Sequence, residues 1–269
     1  MGVAQIAVAF HRDGYVVVPQ VFERAELLDL ADHVFHFRQP SAEALARYGA
    51  EPLDLFGRGA LDEFNSHELR LSARMLRLHL FDQRTRRLML DERLFALVRL
   101  LWPGEPLAVH ALYFPKPPGA RGIALHADTA YLPVDPPEVV GCSIAVDDAD
   151  ADNGALSVVP GSHRLTSVER HPIPTDEFLF PEECVQPPQT ELILKDLRAG
   201  DVLLFHGSLL HRSLPNRSSN RWRRTFICHY ISAAVRSVTE YFNPAFRATG
   251  EEIPAPGWER GNGTEAGRP

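Results

Sequence analysis

Cysteine is scarce in this 269-residue chain. Cys142, Cys184 and Cys228 are odd in number and show no CxxC spacing, which fits neither a disulfide framework nor a thiolate metal site and points to a reducing, cytoplasmic compartment. No run approaches the ~18 consecutive apolar residues of a membrane span. The N-terminus, MGVAQIAVAFHRDGYVVVP, lacks the basic start and long apolar stretch of a secretory signal. Positive charge is short as well: 28 Lys plus Arg against 35 Asp plus Glu give a net charge of -7. The field of such a chain opposes phosphate backbones and anionic membranes, so neither nucleic acid nor membrane is an expected partner. There is no internal repeat, and nothing in the pattern specifies an oligomeric state. What remains is 45% hydrophobic and 23% charged, the composition of an ordinary globular protein able to bury one large core. Arg, Ala and Pro outnumber Lys, Asn and Ile, a bias of GC-rich coding.

The first hundred residues read as mainly helical. A short helix around Val3 to His11 leads through Asp13-Gly14 to a β-branched run, Tyr15 to Val18, closed by Pro19. Glu23 to Phe37, Ser66 to Leu78 and Asp91 to Leu101 carry apolar residues at helical spacing. From Ala108 the texture changes to short apolar runs separated by Pro, Gly, Asn and Asp: Val109 to Phe114, Val139 to Val146, Ala155 to Val159, Leu192 to Leu194, Val202 to Phe205 and Thr225 to Ile231. This pattern predicts an antiparallel β-barrel or sandwich. A single domain over 1–249 follows, with a helical part at 1–105, a β core at 106–235 and a flexible tail at 250–269 poor in apolar residues. The Pro-rich stretch from His171 to Gln189 cannot donate a regular ladder and reads as a long loop over one end of the sheet.

Leu125-His126-Ala127-Asp128 is the sharpest local signal, because residues two apart in a strand share a face and can reach one ion together. A third ligand must come from far along the chain, where the segment after Gly200-Asp201 offers His206 and His211. Two imidazoles and one carboxylate on one side of an ion leave positions open, as Fe(II) oxygenases need. Beyond these histidines lie Arg221 and Arg223, which alternation places on one strand face with Thr225, Ile227 and His229. A guanidinium grips a carboxylate bidentately, which suits the far end of a dicarboxylate, and periodicity leaves Arg221 and Arg223 equal. His110, Tyr113, Lys116, Tyr131 and Ser143 are pocket candidates because they flank these strands. Asn153-Gly154 reads as a structural β-turn, and Ser162 and His163 as the end of a turn.

The sequence resembles the phytanoyl-CoA dioxygenase family of Fe(II)/2-oxoglutarate-dependent oxygenases from near the N-terminus to about Tyr230. The likeness is carried by Phe10-His-Arg-Asp-Gly-Tyr-Val-Val-Val-Pro19, by Lys116-Pro-Pro-Gly119 before His126-Ala-Asp-Thr-Ala-Tyr131, and by Asn153-Gly-Ala-Leu-Ser-Val-Val-Pro-Gly-Ser-His163. Gly200-Asp201 through His211, then Asn216 and Ser218, complete the order. The resemblance implies a mainly β double-stranded β-helix, a cupin-like jelly-roll with flanking α-helices. It implies iron held by His126, Asp128 and His211, which leaves His206 out. It further implies 2-oxoglutarate anchored by Arg223, with Arg221 as the fallback, and by the hydroxyl of Ser213. Tyr113 and Ser143 are added as cofactor-binding candidates. Ala127 departs from the Gln usual between the His and Asp, and the loop before Arg223 is one residue longer. Because Asp128 is a carboxylate, hydroxylation or oxidative ring closure is expected in preference to halogenation.

The function so implied is oxidation of an unactivated C–H bond of a small molecule by a dioxygenase using Fe(II), 2-oxoglutarate and O2. Tailoring of a secondary metabolite is the preferred role, with an acyl-CoA hydroxylase of the same family as runner-up. Two readings from other classes are a zinc-dependent hydrolase on the same three ligands and a non-catalytic jelly-roll binding module; a dicarboxylate-anchoring arginine serves neither.

Overall fold

The computed structural model of the protein describes residues 2–36, 41–48, 74–174 and 176–257. Helix α1 (Val3–Asp13) buries Ile6 and Phe10 and ends at Gly14, whose φ of 82° closes the helix in the left-handed conformation. Strand β1 (Tyr15–Val18) follows as the β-branched run predicts. Helix α2 (Arg24–Phe35) buries Leu27, Leu30, Ala31 and Val34. The short helices α3 (Ala42–Arg47), α4 (Gln83–Met89) and α5 (Glu92–Val98) are capped by the side chains of Ser41, Asp82 and Asp91, each accepting from a backbone N–H of the first turn. Most of the expected Ser66 to Leu78 helix lies outside the described residues. Its described end is not helical: Met75 forms a bridge to Tyr113, and a 3-10 turn covers Leu78–Leu80.

The β portion begins with the long β2 (Leu107–Lys116), then β3 (Ile123–His126), β4 (Val134–Asp135), β5 (Val139–Ala145) and β6 (Leu156–Val158). Strands β7 (Arg170–Pro172), β8 (Glu182–Cys184) and β9 (Ile193–Leu194) precede β10 (Val202–His206), β11 (His211–Ser213) and β12 (Arg223–Ile231). The last are β13 (Ser237–Val238), β14 (Ala245–Phe246) and β15 (Glu252–Ile253). A seven-stranded sheet in the order β1-β10-β5-β12-β2-β14-β15 faces a four-stranded sheet in the order β3-β11-β6-β9. The pairings of both sheets are antiparallel. The fold is mainly β with flanking helices, a jelly-roll of the cupin type, as the resemblance implies.

Two sequence expectations are corrected. The Pro-rich stretch is not wholly irregular, because Arg170–Pro172 pairs with Glu182–Cys184 as a small separate sheet; Pro172 sits at its outer end, where no ladder N–H is required. The tail does not begin at 250, because β15 pairs with β14 and Ala255 is buried.

The main core lies between the helices and the outer face of the large sheet. Phe10, Leu27, Val34, Phe95 and Met89 meet Ala111, Tyr113, Cys142, Ile144, Leu204, Phe226, Cys228 and Tyr230. Strand alternation therefore turns Lys116, Phe114, Leu112 and His110 of β2 the other way, toward the small sheet, together with Arg223, Thr225, Ile227 and His229 of β12. Among the described residues no helix is long and apolar enough to cross a membrane.

Candidate metal centre

The register of β3 and β11 explains why two histidines so distant in sequence meet. His211 is the direct antiparallel partner of His126, so both imidazoles leave the same face of the small sheet, and their ring centroids are 4.2 Å apart. After β3 the chain stays extended through Ala127 (φ -116°, ψ 138°), which keeps Asp128 on the face of His126 as the HxD spacing requires. Donor atoms of His126, Asp128 and His211 all lie within 4.8 Å of one another, and among the described residues no fourth His, Cys, Asp or Glu joins the group.

The hydrogen bonds around these side chains leave the right atoms free. Nδ1 of His126 lies 2.8 Å from the Ala124 carbonyl, and Nδ1 of His211 lies 2.9 Å from that of Leu209. A carbonyl accepts only, so each ring carries its proton on Nδ1 and presents the Nε2 lone pair. Those Nε2 atoms stand 3.5 and 3.7 Å from Oδ1 of Asp128. Its other oxygen, Oδ2, accepts from His229 Nε2 at 3.0 Å. Burial would raise the Asp128 carboxyl, but the surrounding imidazoles of His126, His229 and His211 outweigh it and hold the group well below the usual carboxylate range. Burial lowers His211 to about 4, with the neighbouring His126 adding to the effect, so the ring is neutral at ordinary pH and fit to bind a cation. Two neutral nitrogens and one carboxylate oxygen, converging from one side, are a donor set for a divalent metal with open positions opposite.

The far end of this interior is cationic. Ser213 follows His211 by two residues on the same strand face, roughly 7 Å along, and is 2% exposed. Arg223 is 5% exposed and donates from Nη1 to Thr225 Oγ1 at 2.9 Å. Burial lowers its guanidinium to about 10. Arg223 Nε and the Ser143 hydroxyl are both buried with no partner among the described residues. Native interiors rarely tolerate orphaned polar groups, so these two suit a polar ligand lying between metal and arginine.

Other candidates fall elsewhere. Arg221 pairs with Asp150 at 2.6 Å through a side chain 40% exposed, outside the interior. His206 ends β10 facing the helices, against Phe10, Trp102 and His163. Tyr113, expected as a cofactor residue, is turned to the opposite side of β2 and packs on Phe226 at 4.6 Å in the main core. Tyr131 stands beside the centre, its ring 6.2 Å from that of His126, and His110 and Lys116 point inward. Asn153 is structural: it accepts from Asp150 N–H and donates to the carbonyls of Asp148 and Trp222. Ser162 caps its own turn by donating to Val159 O. The Pro-rich segment does reach the centre, where Phe180 meets His126 at 5.6 Å and stacks on Tyr131 at 5.1 Å. Alternation places His229 on the inward face with Arg223, but its partnership with Asp128 depends on how the two sheets pack, which the sequence pattern does not show. Phe205 escaped notice: its ring lies 4.8 Å from His211, in room supplied by Gly141, where a Cβ would fall 2.3 Å from the ring.

A sequence profile described as phytanoyl-CoA dioxygenase (PhyH) matches residues 10–225. The chain belongs to the phytanoyl-CoA dioxygenase family. It is accordingly an Fe(II)/2-oxoglutarate-dependent dioxygenase, and the donor set described above fits the metal on which the family depends. The Caenorhabditis elegans phytanoyl-CoA dioxygenase domain-containing protein 1 homolog is 27% identical, over 82% of this chain and 88% of its own. Two solved structures share the fold. The non-heme alpha ketoglutarate dependent epimerase SnoN from nogalamycin biosynthesis has a TM-score of 0.62 at 21% identity, covering 87% of this chain and 83% of its own. EctD from S. alaskensis with 2-oxoglutarate and 5-hydroxyectoine has a TM-score of 0.61 at 23% identity, covering 87% and 77%. Membership in this family leaves the zinc hydrolase and the silent binding module without support.

Proposed function

We propose that this dioxygenase oxidises an unactivated C–H bond of a small molecule, by hydroxylation or oxidative ring closure, in the tailoring of a secondary metabolite. His126, Asp128 and His211 are the ferrous iron ligands in this reading, and Arg223 with Ser213 anchors the distal carboxylate of 2-oxoglutarate. The observation that carries it is the single interior shared by the two Nε2 atoms, Oδ1 of Asp128 and an arginine that is buried with no carboxylate partner among the described residues. Similarity to a nogalamycin epimerase and to a protein solved with 5-hydroxyectoine supports a small-molecule substrate. With O2, bound ferrous iron and 2-oxoglutarate supply an oxidant able to break such a bond.

The protein's part is position and exclusion of water. The carbonyls of Ala124 and Leu209 hold the two imidazoles in the tautomer that leaves Nε2 free. His229 restrains one carboxylate oxygen so that the other faces the ion. Phe180 and Tyr131 shield His126 from the Pro-rich side. A cytoplasmic setting agrees with Cys142 and Cys228, which face each other across β5 and β12 as free thiols.

Two measurements test the proposal. Anaerobic addition of Fe(II) should produce a visible charge-transfer absorption only when 2-oxoglutarate is also present, and a folded sample without that absorption sinks the ligand assignment. A panel of small molecules is then screened by mass spectrometry for succinate release coupled to gain of one oxygen or loss of two hydrogens. Hydrolysis products without succinate would refute the reaction class.

A further inference from the structure

Lys116 and Arg223 are direct partners across the β2–β12 pairing, and each is 5% exposed. Like charges set opposite each other on a sheet face repel, and burial strengthens the repulsion. Among the described residues neither cation forms an ion pair with a carboxylate. Asp147, whose charge reaches Arg223, is already engaged by Arg224 through bonds of 2.7 and 2.8 Å. Burial, with the charge of Arg223 adding to it, holds the Lys116 amine well below the usual lysine range.

The surroundings fix this amine in place. Nζ of Lys116 donates to the Leu214 carbonyl at 2.5 Å and to Ser213 Oγ at 3.0 Å. Ser213 Oγ therefore receives its hydrogen bond from the lysine, and its own hydroxyl hydrogen is left to point elsewhere. Gly154, at φ 80°, makes room: a Cβ there would fall 2.3 Å from the Leu214 carbonyl and 3.1 Å from Nζ. Asn216 ties the two strand ends together, donating from Nδ2 to the carbonyls of Lys116 and Arg221 at 3.1 and 2.7 Å.

We propose that Lys116 is a second cation of the 2-oxoglutarate site, a positioning residue that orients the Ser213 hydroxyl and shares with Arg223 the charge that binds the distal carboxylate. This deepens the reading given under Proposed function and rests on it. Without the dicarboxylate the paired cations repel, so the lysine weakens the empty protein and strengthens the loaded one. A lysine serving only as a tie to the Leu214 carbonyl would stabilise both.

The test uses Lys116→Met in the full chain. In the anaerobic Fe(II) titration, half-saturating 2-oxoglutarate should rise roughly 10–100-fold, the loss expected for one charged hydrogen-bonding group. The empty variant should melt at or above the wild-type temperature, and the order should reverse with saturating 2-oxoglutarate. The preference for 2-oxoglutarate over 2-oxopentanoate, which has the same chain length without the distal carboxylate, should shrink by a similar factor. An unchanged half-saturation overturns the proposal whatever the melting shows, and so does a variant that melts lower by the same amount empty and loaded. Should the methionine variant not fold, Lys116→Gln keeps a donor for Leu214 while removing the charge, and the same rise is expected of it. A wild-type protein that shows no 2-oxoglutarate-dependent absorption defeats the underlying assignment instead, and this outcome is recognisable before any variant is made.

Discussion

Replacing His229 by Phe removes the bond from its Nε2 to Asp128 Oδ2, 3.0 Å long, without emptying the space beside Phe205 and Phe242, whose ring centroids lie 6.4 and 6.2 Å away. Two effects follow. In the metal-free protein a buried carboxylate loses a charge-assisted hydrogen bond, which costs about 1.5–3 kcal/mol and should appear as a lower melting temperature. In the metal-bound protein Asp128 is free to turn both oxygens toward the ion, and loss of such an orienting partner typically weakens metal binding by about 10–100-fold. Co(II) binding, followed anaerobically by its visible absorption, reads the second effect without any need for substrate. His229→Gln, which retains an N–H donor, should fall within a few-fold of wild type. A folded His229→Phe protein that binds Co(II) as tightly as wild type would refute the argument, since Asp128 would then need no restraint.

Arg223→Gln should raise half-saturating 2-oxoglutarate by at least two orders of magnitude, as expected for loss of one partner of a buried charge pair worth about 3–5 kcal/mol; Arg221→Gln, which loses a surface ion pair worth about 0.2–1 kcal/mol, should leave it unchanged. Equal effects from the two variants would contradict the placement of Arg223 inside. Gly141→Ala drives a methyl group into the Phe205 ring; overpacking of this kind costs about 1–3 kcal/mol, and because that ring lies against His211, Co(II) affinity should fall together with the melting temperature. Acid should weaken the fold through His206, which burial lowers from 6.5 to about 4 with help from His163 and His11. The unfolded chain takes up a proton that the folded chain refuses, so stability is complete above pH 6.5 and declines toward pH 4, by on the order of 3 kcal/mol for this one ring. His206→Asn, which keeps an acceptor for the Ser208 amide, should give a shallower acid limb in urea melts between those pH values.

Much of the β portion was legible because its strands are short apolar runs between turn formers, and β1, β5, β10 and β12 lie where the sequence places them. The HxD pair was legible for a local reason, alternation along one extended segment. Pairing was not legible, and pairing decides which way a strand faces. Arg221 and Arg223 have the same parity, so only the start of β12, pinned by Asn216 and Ser218, separates a surface arginine from a buried one. Tyr113 and Lys116 have opposite parity, and the choice between them depends on the alignment of Arg223 with Lys116, two residues more than a hundred positions apart. His229 shares the parity of Arg223, so its face was legible, but its bond to Asp128 crosses from one sheet to the other and no strand pattern records that. The sheet formed by β7 and β8 is hidden by the prolines around it, since a two-stranded edge pair needs few N–H donors and leaves little apolar pattern.

The centre draws on both layers of the jelly-roll. His126, His211 and Ser213 belong to the small sheet, while Arg223, Lys116 and His229 belong to the large one. The bonds from Lys116 to Ser213 and from His229 to Asp128 are polar ties between the layers. An occupied centre adds a ligand pinned at one extremity to each layer, which makes it a cross-brace against their separation. Amide exchange in β3 and β11 should therefore slow on loading in step with that of β12, although no backbone hydrogen bond joins them.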